Sequence, residues 1–319
     1  MRAGIIQKLG QTPCIEDFPE PIAAEGEVLL TVLAASLKPV DKQLAAGTHF
    51  ASPREFPRVA GSDGVGRLED GSRVFFGGPR RPYGSFAERT VVRRAQCFQV
   101  PESLDDATAA AIPNPGVSAW LSLGHRAKLS AGETVLVLGA TGVTGALAVT
   151  IAKSLGAGRV VAAGRNPTVL ARLPALGADA VLSLDQPREA LIEALRRQNS
   201  EKRFDVVIDY VWGPPLEAVL AAITTDELTA CGSATRIVQV GESAAPTIEL
   251  RAAALRSTAL VMLGTAGIPP MEVLSDALGR VLELAAKGAL KVAVEEWPLE
   301  EIESAWNRPA SSRRLVFRP

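Results

Sequence analysis

Cysteine is scarce in this chain, with three in 319 residues: Cys14, Cys97 and Cys231. They are far apart and odd in number, which excludes a disulfide framework and a cysteine-built zinc site and points to a reducing compartment. Histidine is scarcer still, His49 and His125 alone, and this limits metal chemistry further. An excess of either charge is lacking as well. With 34 basic against 35 acidic residues the net charge is −1, so no global field draws the chain onto nucleic acid or an anionic membrane. No run of about 20 apolar residues could cross a bilayer. The opening stretch MRAGIIQKLG has no long apolar core of the secretory kind. The expectation is a cytoplasmic protein without a membrane span. Internal repeats and low-complexity segments are also missing.

What is present is a globular composition, 47% hydrophobic and 22% charged. That rules out wholesale disorder, and the length suits two domains. The texture changes near residue 113. Before it, short apolar runs such as Glu27 to Leu37, Ser72 to Phe76 and Ser85 to Val100 are broken by Gly, Pro and charge, as in a β-rich domain with many turns. The segment IPNPGVSAW, Ile112 to Trp120, reads as a boundary followed by a helix. A regular alternation then sets in. Strands are predicted at Thr134 to Leu138, Arg159 to Ala163, Ala180 to Leu184, Phe204 to Val211, Arg236 to Val240 and Thr258 to Leu263. Helices fall between them, at about Gly142 to Leu155, Pro167 to Leu176, Arg188 to Arg197 and Leu216 to Ile223. Strands alternating with helices make a parallel sheet covered on both faces, and six strands complete a doubly wound dinucleotide fold. Beyond Gly264 a long amphipathic helix, Met271 to Lys287, is followed by Val292 to Val294, a helix from Leu299 to Asn307 and a strand at Leu315 to Phe317. Such isolated strands need a sheet to join, so the chain is expected to return to its first domain. The expected division is residues 1–112 plus 265–319 in one domain and 113–264 in the other.

The strongest motif is Gly139-Ala140-Thr141-Gly142-Val143-Thr144-Gly145, set between the apolar strand TVLVL and the helix ALAVTIAKSLGA. A strand that turns directly into a helix aims free N–H groups and the positive helix end at one point, which suits a pyrophosphate. Strand, glycine turn, helix and a further βα repeat together make this a strong signal. Dinucleotide folds selective for NAD place a carboxylate at the end of the second strand. Here that place holds Gly164 and Arg165. A small residue leaves room for a 2′-phosphate and a guanidinium matches its geometry, so NADPH is the expected cofactor.

These blocks, with AASLKPVDKQLAAGTH (Ala34 to His49), RVAGSDGVG (Arg58 to Gly66), YGSFAERTVV (Tyr83 to Val92), LRSTALVMLGT and the ending RRLVFRP, resemble the zinc-independent quinone oxidoreductase branch of the medium-chain dehydrogenase/reductase superfamily. The resemblance covers nearly the whole chain. It implies an α/β protein in which a Rossmann doubly wound sheet is inserted in a GroES-like β-rich domain, with cofactor and substrate in the cleft between them and a homodimer formed through the Rossmann domain. The zinc-dependent relatives need Cys or His ligands where this chain has Lys38-Pro39-Val40-Asp41, and a His-Glu pair where it has Ser62-Asp63, so no metal site is expected. What remains is hydride transfer to a quinone or an α,β-unsaturated carbonyl.

Negative charge then builds on the acceptor's oxygen, and a donor must meet it. The family's Asn before the NP-x-D proline is Lys38 here, and a Tyr found further on in many relatives is His49. These two are the expected catalytic donors. The alternatives are a solvated Lys38 paired with Asp41 and an ordinary loop residue at His49. The resemblance further assigns cofactor contacts to Ser118, Ala140, Thr141, Gly142, Val143, Gly164, Arg165, Asp209, Tyr210, Val240, Gly241, Leu263 and Gly264. A Tyr that holds the 2′-phosphate in some relatives is Leu184 here, which leaves Arg165 to carry that role. Asp41 reads as a helix N-cap, Asp63 as a turn or packing residue, His125 as structural, and Cys231 as a loop thiol. Two rival readings stand beside the reductase of quinones or enones. One is an enoyl-thioester reductase, for which Arg80 and Arg81 are the conceivable basic residues. The other is a non-catalytic NADPH-binding redox sensor.

Overall fold

The computed structural model of the chain describes every residue except 225–233, 266, 268, 310 and 311. Cys231 lies outside the described residues. The chain divides into two units, Met1–Asn114 with Leu278–Pro319, and Pro115–Ala277. The return to the first unit therefore falls inside a helix and not at residue 265.

The first unit opens with β1 (Arg2–Ile6), β2 (Cys14–Asp17) and β3 (Glu27–Ser36), and the chain turns from β3 into α1 (Pro39–Ala46). Then come β4 (Arg58–Val59), β5 (Asp63–Arg67), β6 (Arg73–Gly77), β7 (Arg89–Arg93) and β8 (Cys97–Gln99). α2 (Asp106–Ala111) is capped by Asp105, whose side chain accepts from the Thr108 N–H. α3 (Pro113–Trp120) begins at the expected proline-marked boundary and runs on into a π-helical turn at Leu121–Arg126.

The second unit carries β9 (Thr134–Leu138), α4 (Val143–Ser154), β10 (Arg159–Gly164), α5 (Pro167–Leu170), β11 (Ala180–Ser183) and α6 (Arg188–Glu201). It continues through β12 (Val206–Asp209), α7 (Gly213–Ile223), β13 (Thr235–Gln239), α8 (Ala252–Ser257) and β14 (Leu260–Gly264). All six expected strands are present, and every pairing between them is parallel, in the order β11-β10-β9-β12-β13-β14. β9 is buried along its whole length, as a central strand covered on both faces must be. The helix expected over Pro167 to Leu176 is shorter. It breaks after Leu170 and resumes as a 3-10 turn at Leu173–Leu176, because Pro174 has no N–H to donate and its ring crowds the preceding turn. The next helix runs four residues beyond expectation, to Glu201. α7 starts earlier than expected because Pro214 and Pro215 sit in its first turn, where a missing N–H costs nothing.

α9 (Met271–Ala286) leads back to the first unit, which ends with β15 (Val294–Pro298), α10 (Ile302–Trp306) and β16 (Arg314–Arg318). β16 lies between β15 and β3 in a sheet ordered β15-β16-β3-β5-β6-β8, with β7 also on β3, while β2-β1-β4 form a smaller sheet. Each unit has its own core. In the first, Phe76, Phe86, Trp306 and Phe317 pack with Leu30 and Ile302. In the second, Leu136, Leu138, Leu195, Phe204 and Leu216 pack across the parallel sheet. Among the described residues no helix is long and apolar enough to cross a membrane.

Candidate functional site

The glycine-rich turn of the second unit is built as its spacing predicts. Gly139 takes φ +86°, a conformation that glycine adopts without strain. The Gly139 and Ala140 N–H groups both donate to the Ala163 carbonyl, at 2.9 and 2.8 Å, which ties the turn to β10. Gly142 caps α4 with no side chain of its own, so the first-turn N–H groups of α4 are left for a ligand. Gly145 is required by close packing: a Cβ there would stand 2.3 Å from the Gly139 carbonyl oxygen. Gly164 plays the same part for Thr141, whose side chain a Cβ would meet at 2.4 Å. Beside it the Arg165 guanidinium is exposed and has no ion-pair partner among the described residues. An uncapped helix start, a turn without side-chain bulk and a free guanidinium at the second strand's end fit a dinucleotide carrying a 2′-phosphate.

The remaining cofactor candidates gather at the carboxyl ends of β12, β13 and β14. The Val240 and Gly241 N–H groups donate to the Asp209 carbonyl at 2.8 and 3.1 Å. Asp209 itself departs from expectation. Its side chain is fully buried, with Oδ1 accepting from the Val211 and Trp212 N–H groups at 2.9 Å each. Oδ2 has no hydrogen-bond partner among the described residues, and burial pushes the carboxyl above its ordinary range. Such a carboxylate shapes the loop that follows β12. The Tyr210 hydroxyl is likewise buried and without a hydrogen-bond partner among the described residues, and burial pushes its phenol up. Leu263 and Gly264 line a cavity of about 370 Å³ with Trp212, Gln239, Glu242 and Met262. Trp212 was not anticipated from the sequence. It holds φ +57°, ψ −168°, a region populated essentially by glycine, at a cost of about 1–3 kcal/mol. Ser118 lies elsewhere. It lines a second cavity of about 210 Å³ with Ser122, His125, Arg126 and Thr265.

In the first unit, Lys38 and His49 flank opposite ends of α1, an eight-residue helix about 12 Å long. The structure does not bring them together. Lys38 is 2% exposed. Its ammonium donates to the Ser36 carbonyl and to Asp63 Oδ1, each at 2.9 Å, and lies 3.2 Å from Asp41 Oδ2. Two of its hydrogens are thus bonded within the protein, and Asp41 pairs with the same ammonium. The expected donor is thus the cation of a buried charge centre, paired with Asp41 but not solvated. Burial alone would depress the ammonium, but Asp41 and Asp63 beside it hold it above its ordinary range. Burial pushes the Asp63 carboxyl up while Lys38 pulls it down. Arg314 supplies a second buried cation. It donates to the Leu37 carbonyl at 3.2 Å and lies within electrostatic reach of both carboxylates. Asn114 Nδ2 donates to Asp63 Oδ2 at 3.2 Å, and the Ser62 hydroxyl donates to Asp41 Oδ1 at 2.8 Å. Asp41 is not the N-cap. Lys38 is, and Asp41 reaches back from the third helical position to accept the Lys38 N–H at 2.9 Å.

His49 follows the left-handed Gly47 cap of α1. Its Nδ1 accepts from the Ala51 N–H at 3.1 Å, and its ring stacks on Phe50 with centroids 4.2 Å apart. In the neutral imidazole this bond places the proton on Nε2, which donates to no partner among the described residues. Phe50 is 96% exposed. Arg80 is committed to Glu27 and the Ile22 carbonyl, which takes it out of the enoyl-thioester reading and leaves Arg81 alone.

A family model described as zinc-binding dehydrogenase matches residues 176–315. A 2-methylene-furan-3-one reductase of Solanum lycopersicum is 32% identical over 208 residues, covering 60% of this chain and 51% of that protein. A quinone oxidoreductase of Homo sapiens is 34% identical over 148 residues, 44% of this chain and 45% of that protein. The chain thus spans about half the length of these curated relatives. The solved quinone oxidoreductase of Thermus thermophilus, determined also in complex with NADPH, is 30% identical with both chains covered in full and a TM-score of 0.83. The chain belongs to the medium-chain dehydrogenase/reductase superfamily, among its quinone oxidoreductase-like members. As a member it departs from the zinc-dependent pattern at the Lys38 and Ser62-Asp63 positions. Among the described residues no three His, Cys, Asp or Glu side chains gather where they could hold a metal ion.

Proposed function

We propose that this protein is a zinc-independent, NADPH-dependent reductase of quinones or α,β-unsaturated carbonyls. The observation that carries the reading is the uncapped start of α4 behind Gly139, Gly142 and Gly145, with the free Arg165 at the end of β10. In this reading the Thr141, Gly142 and Val143 backbone holds the pyrophosphate, and Arg165 holds the 2′-phosphate. When bound, a reduced nicotinamide supplies the hydride. His49 Nε2–H donates to the acceptor's oxygen as charge builds there, and exposed Phe50 gives that histidine an apolar flank. Lys38 stands as the fixed cation that neutralises Asp41 and Asp63. The complex of the Thermus relative with NADPH supports the cofactor assignment. Two copies are expected to associate through the second unit, where β14 is an outer strand and Val261 is 41% exposed. The scarce, scattered cysteines support a cytoplasmic setting.

The test is NADPH oxidation against a benzoquinone, a naphthoquinone, a simple enone and an enoyl-CoA, each repeated with NADH. Turnover on the quinones or the enone with NADPH preferred is the expected result. Turnover confined to enoyl-CoA would overturn the acceptor class, and tight NADPH binding without turnover would overturn the enzymatic reading. His49→Phe is expected to lower kcat while leaving NADPH affinity in place.

A further inference from the structure

Trp212 stands at the carboxyl end of β12 in a backbone conformation suited to glycine. Several contacts impose it. The Trp212 and Val211 N–H groups share Asp209 Oδ1. Gly213, also at positive φ, lies so close to Ala245 that a Cβ on it would stand 2.6 Å from that residue's Cβ. A strained residue persists only where its surroundings over-determine it, and such residues concentrate at ligand clamps. The indole is half-buried. It packs against the apolar core of the second unit and lines the 370 Å³ cavity with Gln239, Glu242, Met262 and Leu263. This hollow is open to solvent and lined by both polar and apolar groups, and its volume falls within the range of small-molecule sites. The cavity also lies at the carboxyl ends of β12, β13 and β14. This is the far side, from the glycine-rich turn, of the point between β9 and β12 where the strand order reverses, and open α/β sheets bind their ligands there.

We propose that Trp212 is a stacking wall for a planar ring, either the nicotinamide of the cofactor or the ring of the acceptor, and so a specificity-determining residue. The inference rests on the reductase reading above. An indole face is electron-rich and prefers a flat or cationic partner. If the ring is nicotinamide, Trp212 favours the positively charged oxidised form over the neutral reduced one.

The experiment compares wild type with Trp212→Gly, which suits the backbone, and Trp212→Phe, which keeps a ring. Calorimetry gives the affinities for NADP⁺, NADPH and 2′-phospho-ADP-ribose, which lacks the nicotinamide. Steady-state kinetics give KM for a naphthoquinone. For a nicotinamide wall, Trp212→Gly loses roughly tenfold in NADP⁺ affinity, less in NADPH affinity and nothing for the truncated nucleotide, while Trp212→Phe keeps most of it. For an acceptor wall, the nucleotide affinities stay and KM for the quinone rises. Wild type that binds NADP(H), with Trp212→Gly unchanged in every affinity and in KM, overturns this inference alone. Wild type that binds no NADP(H) overturns the reductase reading and this inference with it.

Discussion

The charge centre beneath α1 and the glycine-rich turn before α4 treat their polar groups in opposite ways. In the first unit Lys38, Asp41 and Asp63 face one another, with Arg314, Ser62 and Asn114 closing the set. In the second unit the start of α4 has no capping side chain and Arg165 has no carboxylate partner among the described residues. Both regions look equally functional as strings of residues. The fold separates them by what each polar atom touches. Groups that satisfy one another hold structure, and groups left open wait for a ligand.

Lys38→Met tests the closed side and carries the largest expected effect. It leaves two buried carboxylates without the ammonium paired with both of them and with Arg314 still within electrostatic reach, a change that destabilises by about 3–5 kcal/mol. Urea unfolding should show the loss, and a shift below about 1 kcal/mol would break the comparison. Gly145→Ala tests the open side. Its Cβ meets backbone at 2.3 Å, so α4 must move off the turn, and a misplacement of about 1 Å costs on the order of a hundredfold in a positioned site. Equilibrium titration with NADPH reads it. Arg165→Ala should weaken NADPH by roughly ten- to a hundredfold, as expected for a hydrogen bond to a charged group worth about 1.5–3 kcal/mol, with NADH little changed. Equal effects on the two cofactors would remove the 2′-phosphate from Arg165. The smallest effect belongs to Cys14, whose thiol is pushed up to about 11, first by its hydrogen bond to Glu16 and then by burial. The folded state therefore holds this proton more tightly than the unfolded chain. Stability should fall slightly as pH rises from 9.0 towards about 11, and alkylation should lag that of the unfolded thiol.

The second unit was legible because its signals are local. A fully apolar five-residue strand, a glycine turn and an amphipathic helix are read within one window, and β9, the turn and α4 appear where TVLVL, the glycines and ALAVTIAKSLGA put them. The limits of α5 were missed although Pro174 marked them. The charge centre was not legible in the same way. Lys38 reads as an exposed donor until Asp63, brought in by β5, and Arg314, brought in by β16, are seen to surround it. Nothing near position 38 announces either. Trp212 was overlooked for a different reason. Its neighbours Gly213, Pro214 and Pro215 advertised a turn, but the dihedral angles that aim an indole are not written in composition.

β16 sits between β15 and β3, and Arg314 reaches the charge centre from it. The whole second unit lies between the two parts of the first in chain order. During synthesis, therefore, the ribosome delivers all of the second unit before the strand that completes the first. The parallel sheet can fold around its glycine turn while β3 still lacks a neighbour and Asp41 and Asp63 still lack Arg314. Domains fold as units during translation, so the second unit is ready early and the unit carrying His49 is the last to become native. A nascent chain stalled before β16 would hold a finished glycine-rich turn in one unit while the other stayed incomplete.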